Sequence, residues 1–167
     1  MNRYIIFGLA TVLLAGCDRT TSGAIETGQI KTQSNELSRP ASDTVDAFHA
    51  ALAAGDTKQA LALLADDVLI YEGGGAEESK AEYASHHLEA DMAFLKGVKQ
   101  STVARSAQVR GDVAWVMSQG KTIGTFKDKA VDSASTETMV LRRFDGVWKI
   151  VHIHWSAAAT KPKAPTS

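Results

Sequence analysis

Two potentially reactive side chains lie close together near the C-terminus, in the segment WKIVHIHWS at Trp148–Ser156. His152 and His154 are two residues apart, so on a β-strand both imidazoles point to the same face of the sheet. Such a pair could supply two metal ligands or two groups for acid–base chemistry. Which of these applies depends on the face that the histidines occupy and on the groups that join them there.

A second set of candidates lies on a predicted long helix at Ser79–Lys96. His87 and Asp91 fall within its apolar stripe and are one turn apart, so their side chains can meet. They either satisfy each other in the core or face a pocket, where they could hold a ligand or transfer a proton. The neighbouring His86 is rotated by about 100° and is expected to point to solvent or to a partner chain.

Glu137 shares an inward strand face with Met139 and Leu141. An unpaired carboxylate in such a place would have a raised pKa, which suits a general base. The alternative is a structural role, in which the carboxylate accepts hydrogen bonds from a backbone amide or from an arginine such as Arg105 or Arg143.

Glu72 ends a predicted strand and could guard the mouth of a pocket. The glycines that follow, Gly73–Gly75, lack the Gly-Lys-Ser/Thr ending of a phosphate-binding loop. Glu77 and Glu78 are expected to be solvated.

The elements that position these residues follow from local signals. Helix caps, helical spacing, alternation and turn residues predict helices first and then a hairpin-connected set of strands. This order predicts an α+β domain, with a strongly curved antiparallel sheet and helices packed on its concave side. The first predicted helix runs from Ser42 or Asp43 to Gly55, and Val45, Phe48, His49 and Leu52 follow its helical spacing. A second helix starts at Asp56 or Thr57, and a third spans Ser79–Lys96. The predicted strands are Asp66–Glu72, Val98–Val109, Val113–Phe126, Thr136–Phe144 and Val147–Ser156.

The N-terminus predicts export to the cell envelope. The apolar run Tyr4–Gly16 follows Arg3 and is shorter than the roughly 20 residues of a membrane-spanning helix. Its end, Leu14–Cys17, resembles the bacterial lipobox, which implies that residues 1–16 are a lipoprotein signal peptide and that Cys17 is lipidated. Asp18 resembles an inner-membrane retention signal.

Composition divides the rest of the chain. Residues 17–42 are predicted to be a flexible tether, residues 43–158 one domain facing the periplasm, and residues 159–167 a disordered tail. The whole chain has 18 Lys+Arg and 19 Asp+Glu, and this near balance argues against a nucleic-acid partner.

One segment is similar to a known family. ETMVLRRFDGVWKIVHIHWSA, at Glu137–Ala157, resembles the end of the association domain of calcium/calmodulin-dependent protein kinase II. That domain belongs to the nuclear transport factor 2-like, or SnoaL-like, superfamily. The resemblance implies a cone-shaped fold whose open end is a pocket between the long helix and the sheet.

The resemblance also implies which faces of the strands are used. In the kinase domain, arginines match Met117, Met139 and Trp155 and attract anions, so apolar residues here imply a mainly apolar pocket. The face of Trp155 is then the inner one, shared with Val151 and Ile153. His152 and His154 fall on the outer face, through which a homodimer is expected. The predicted pocket residues are Glu72, Tyr83, His87, Asp91, Trp115, Met117, Glu137, Met139 and Trp155.

Three functions are compatible with these patterns. The first is a membrane-tethered binding or assembly module for an unknown small molecule. The second is a cofactor-independent isomerase, cyclase or dehydratase of the SnoaL or ketosteroid-isomerase kind, with His87, Asp91 and Glu137 as candidate catalytic residues. The third is a periplasmic metal-binding protein. Its candidate ligands are His86, His87, His152 and His154. No cofactor is expected for the first two.

Overall fold

The computed structural model describes residues 22–160, with side chains from Glu36 onward. Helices come first and a long-stranded sheet follows, which confirms the predicted α+β class. The elements are α1 Ser22–Ala54, α2 Thr57–Leu63, β1 Leu64–Glu72, β2 Gly75–Glu77, α3 Lys80–His86, α4 Leu88–Gly97, β3 Val98–Arg110, β4 Val113–Phe126, β5 Lys129–Phe144 and β6 Val147–Ala159.

Helix α1 packs its apolar stripe against the sheet. Val45, Phe48 and Leu52 recur at helical spacing and are buried, as their pattern predicts. They join a core built from the sheet and the other helices, whose largest fully buried members are Tyr83, Leu64, Ile70, Met139, Leu141, Ile150, Ile153, Val68 and Val116.

The helix begins earlier than predicted. It starts at Ser22 and continues through Pro40, so the prediction of a flexible tether is wrong for residues 22–42. Ser42 and Asp43, which were expected to cap a helix, lie inside one, because cap-forming residues do not stop a helix that is already formed. Within residues 22–160, no helix is both long and apolar enough to cross a membrane. The predicted signal peptide at residues 1–16, Cys17, Asp18 and residues 161–167 lie outside the described part of the chain.

The other helix starts follow their sequence signals. Asp56 caps α2 by accepting a hydrogen bond from the backbone N–H of Gln59 at 2.9 Å. Ser79 caps α3 in the same way, with the N–H of Glu82 at 3.1 Å, and the Glu82 carboxylate accepts from the N–H of Glu78 at 2.7 Å. The predicted single helix at Ser79–Lys96 is broken at one residue, His87, into α3 and α4.

The sheet has the strand order β2-β1-β6-β5-β4-β3. All neighbouring pairs are antiparallel except β1 and β6, which run parallel. The hairpin of β1 and β2 turns through Gly73 and Gly74, whose φ angles of +58° and +87° favour glycine. The boundaries predicted for β4 are confirmed, whereas β5 begins at Lys129 rather than at Thr136.

The prediction for the face of β4 is wrong. Met139 on β5 is fully buried on the inner face and pairs with Val116, not with Met117. Residues directly opposite each other in adjacent strands share a face. Trp115 and Met117 therefore lie on the outer face, and the smaller Ala114 and Val116 take the inner positions beneath α1.

The prediction for β6 is half right. Ile153 and Trp155 are on the inner face and His152 and His154 on the outer one. Val151, expected on the inner face, is the extra residue of a β-bulge, because Val140 pairs with His152 while Leu141 pairs with Ile150. The bulge places Ile150, not Val151, in the core.

Candidate functional site

A cavity of about 360 Å³ lies between α1, α4 and the inner face of the sheet. This volume is in the range of small-molecule binding sites. Its wall combines apolar side chains with an unusual number of titratable ones. The apolar members are Leu52, Phe94, Leu95 and Trp155, and the titratable ones are Asp46, His49, Glu72, Asp91, Arg105, Lys121 and Glu137.

Glu137 is the central buried group of one wall, with 9% of its surface exposed. Its Oε2 atom accepts hydrogen bonds from Nε2 of His49 at 2.7 Å and from Nε1 of Trp155 at 2.8 Å. The indole of Trp155 stacks on Phe48, with ring centroids 6.4 Å apart. The carboxylate therefore connects α1 to β5 and β6.

The surroundings of Glu137 favour its ionised form. Burial alone would raise the pKa of this carboxyl. The hydrogen bond and charge of His49, the hydrogen bond of Trp155 and the charge of Arg105 outweigh burial and hold the pKa below its ordinary value. Glu137 is therefore an anion at neutral pH.

Arg105 reaches the same wall from β3. Its Nε donates to the hydroxyl of Ser118 at 3.0 Å, and Nη1 forms an ion pair with Asp46 of α1. A bulge at Val103 shifts the register of β3, so that Thr102 and Arg105 both line the cavity.

Two further carboxyls of the cavity have raised pKa values: Glu72, which lies on the same face of the sheet as Glu137 on the other side of Trp155, and Asp91 of α4. Tyr83 donates its hydroxyl to Oδ2 of Asp91 at 2.7 Å. Burial raises the pKa of Asp91, although Tyr83 and His87 act against it. The pKa of Glu72, at the end of β1, is raised by partial burial and by the nearby Asp91. Burial also raises the pKa of the Tyr83 hydroxyl, which stays protonated.

A smaller cavity of about 90 Å³ adjoins the main one, and Glu72, Asp91 and Trp155 line both. It also contains Tyr83 and the ion pair of His87 with Glu77. These contacts correct two predictions. Asp91 is bonded to Tyr83 rather than to His87, and Glu77 is buried rather than solvated, because the β1–β2 hairpin turns it inward beneath His87.

The remaining predicted site residues lie elsewhere. Trp115 and Met117 are on the outer face, and Met139 is buried in the core without lining either cavity. His152 bonds the carbonyl of Leu69 at 3.0 Å and packs edge-on against Tyr71, whereas His86 and His154 are exposed. Across residues 22–160, no group of three or more potential ligands is arranged to hold a metal ion.

Sequence reasoning missed His49 and Asp46 as members of the site. His49 was assigned to the apolar face of its helix without a role of its own. A polar residue between Phe48 and Leu52 on a buried face requires a partner, and that signal could have identified it. Asp46 carried no local signal, because its partner Arg105 is brought to it only by the fold.

The geometry can be compared with known proteins. A family model described as the SnoaL-like domain matches residues 41–160, which is most of the chain. The chain belongs to the SnoaL-like domain family. A search of curated proteins gave no match.

Solved structures of similar fold agree with this SnoaL-like assignment. A candidate ketosteroid isomerase from Shewanella frigidimarina is 44% identical, with 68% of this chain and 92% of that chain covered and a TM-score of 0.67. A candidate calcium/calmodulin dependent protein kinase II association domain from Xanthomonas campestris is 24% identical, with 72% and 86% covered and a TM-score of 0.60. A candidate dehydratase from Streptomyces avermitilis is 18% identical, with 75% and 99% covered and a TM-score of 0.61. The last two likenesses show the shared fold alone.

The buried carboxylate predicts a pH-dependent contribution to stability. Replacing Glu137 by Gln keeps the shape but removes the charge, so we expect the free energy of unfolding at pH 7 to fall by about 1–3 kcal/mol. Because the folded-state pKa of Glu137 is lowered, its contribution is complete above the unfolded-state pKa. The difference between wild type and variant should shrink as the pH falls through the lowered folded-state pKa.

Urea unfolding at a series of pH values measures this difference. Glu78→Gln is the matched control, because Glu78 is exposed and outside both cavities. It should change the unfolding free energy by less than about 0.5 kcal/mol. A Glu137→Gln variant as stable as wild type at pH 7 would contradict the assigned role of the carboxylate.

Proposed function

We propose that this domain is a cofactor-independent acid–base enzyme that moves a proton on a small carbonyl compound bound in the cavity. The observation that carries the proposal is the contrast between carboxyls in one cavity: Glu137 has a lowered pKa, while Glu72 and Asp91 have raised ones. Environments that push the pKa values of neighbouring carboxyls apart are typical of acid–base sites. The 44% identical Shewanella frigidimarina structure, a candidate ketosteroid isomerase, supports the same reaction class.

The proposed step uses Glu72 and Asp91 together. Ionising one of them makes the ionisation of the other harder, so an intermediate state with one proton on the pair is favoured. In that state the Glu72 carboxylate accepts the proton from a carbon next to the substrate carbonyl. Protonated Asp91 donates a hydrogen bond to the oxygen on which negative charge develops. The proton then returns to a different carbon, and no electrons leave or enter.

Tyr83 and the small cavity support this arrangement. The Tyr83 hydroxyl fixes the orientation of Asp91, and Leu52, Phe94 and Leu95 provide apolar walls for the substrate. The sequence patterns favour a binding module, because they predict a tether, a lipid anchor and an apolar inner face, and their candidate catalytic residues, His87, Asp91 and Glu137, form no convincing catalytic set. Of these, Asp91 takes part in the proposed chemistry, whereas Glu137 remains ionised in the same cavity and His87 is paired with Glu77.

Removing the base tests the reaction. Suitable probes are β,γ-unsaturated cyclic ketones, one neutral and one bearing an amino substituent, whose conjugated products absorb in the ultraviolet. We expect Glu72→Gln to lower kcat/KM by about 10²–10⁴-fold, the usual contribution of a general base. In wild type, kcat/KM should decrease as the pH falls through the raised pKa of Glu72, because the base becomes protonated.

Glu78→Gln again serves as the control and should retain wild-type turnover. Turnover of either ketone that is unaffected by Glu72→Gln would refute the assignment of the base. If wild type turns over neither ketone, the proposed reaction class is wrong.

We also propose that the domain forms a homodimer through the outer face of the sheet. Three exposed side chains support this, since Leu69, Tyr71 and Met117 have 38%, 43% and 38% of their surfaces accessible on that face. Analytical ultracentrifugation should show a dimer for wild type and mostly monomer for Met117→Lys. The control Val103→Lys changes an exposed apolar residue at the bulge of β3 and should remain dimeric. A monomeric wild type would refute the interface.

Finally, we propose that Cys17 anchors the protein to the bacterial envelope membrane, with the domain facing the periplasm and Asp18 favouring the inner membrane. The lipobox-like Leu14–Cys17 segment supports this. Wild type should incorporate labelled palmitate and sediment with membranes, whereas Cys17→Ser should do neither. Label retained by Cys17→Ser would contradict the proposal.

A further inference from the structure

The positive charges in the cavity wall are already paired. Arg105 forms its ion pair with Asp46 and also bonds Ser118. Lys121 lies 3.6 Å from Asp132. Neither cation is therefore available to a ligand without breaking an existing contact. The wall holds the four carboxyl side chains of Asp46, Glu72, Asp91 and Glu137 against these two cations and the imidazole of His49, which is bonded to Glu137.

One acceptor in this wall has no partner. Oε2 of Glu137 is bonded twice, but Oε1 is buried and accepts no hydrogen bond from any residue in the described part of the chain. Leaving a buried acceptor of this kind unsatisfied costs about 1–3 kcal/mol, and more when it is charged. Glu137 lines the cavity and is nine-tenths buried, so a ligand that brings a donor would remove this cost.

We propose that the ligand of this cavity carries a cationic amino group and that Glu137 binds that group through Oε1. An ammonium supplies hydrogen-bond donors and a positive charge, and both complement an ionised acceptor in a cavity that Glu72 and Asp91 also line. The indole of Trp155, which is bonded to the same carboxylate, adds an aromatic surface of the kind that attracts ammonium groups.

This inference rests on the proposed function, because it places the substrate in the same cavity. It assigns the carboxyls of the cavity different tasks, with Glu137 holding the amino group and Glu72 with Asp91 exchanging the proton. It also predicts discrimination against anionic ligands, since Arg105 and Lys121 are engaged elsewhere.

Three probes of similar size separate charge from shape. They are phenylethylammonium, its neutral analogue phenylethanol and the anion phenylpropionate, each titrated by calorimetry into the folded wild-type protein. We expect the ammonium to bind at least about tenfold more tightly than the alcohol, which matches a charge-assisted hydrogen bond, and the carboxylate to bind most weakly. Equal affinities, a preference for the carboxylate, or binding of none of the three would overturn the inference.

Two variants locate the charge that is responsible. Glu137→Gln should lower the affinity for phenylethylammonium by about tenfold and leave that for phenylethanol within about threefold. Glu78→Gln should change neither affinity. The discrimination among the three probes is measured in wild type, so it tests the ligand class even if the Glu137→Gln variant folds poorly. An ammonium preference that survives in folded Glu137→Gln would overturn the assignment to Glu137.

The two proposals fail in different ways. Tight ammonium binding without turnover of any ketone would refute the proposed reaction and leave the ligand class standing. Turnover of neutral ketones by an enzyme with no ammonium preference would refute the ligand class and leave the reaction standing.

Discussion

The buried carboxylate of Glu137 is the interaction on which the rest of the site depends. A charge removed from water must be matched by donors, and here the donors come from two directions. His49 approaches from α1 and Trp155 from β6, so the helix and the sheet are held together at the same atom, Oε2. The cavity opens beside this contact, and its wall includes His49, Glu137 and Trp155, which these two hydrogen bonds join.

The carboxyls of the cavity differ in how readily they bind a proton. On the Glu137 side, donors and the nearby Arg105 overcome the effect of burial and keep the carboxyl ionised. Burial raises the pKa of Glu72 and of Asp91, and the charge of Asp91 raises that of Glu72 further. A site that combines a permanent anion with a proton-exchanging pair has the means both to orient a ligand and to transfer a proton.

Much of the fold could be predicted because its signals are local, as the Asp56 cap shows. The site was harder to predict, because its contacts join distant parts of the chain. Alternation defined two faces for β4, but only pairing with β5 decides that Trp115 points outward. A single bulge residue, Val151, reverses the alternation within β6. Helical spacing predicted a contact between His87 and Asp91, but the β1–β2 hairpin places Glu77 against His87 instead.

A nuclear magnetic resonance titration of the side-chain carboxyl carbons would measure the pKa values of Glu72, Asp91 and Glu137 separately. Assignments would come from the single variants Glu72→Gln, Asp91→Asn and Glu137→Gln. We expect Glu137 to titrate below the ordinary range of a glutamate, and Glu72 and Asp91 to titrate above the ordinary ranges of their residue types. A raised pKa for Glu137, or ordinary values for both Glu72 and Asp91, would contradict this expectation.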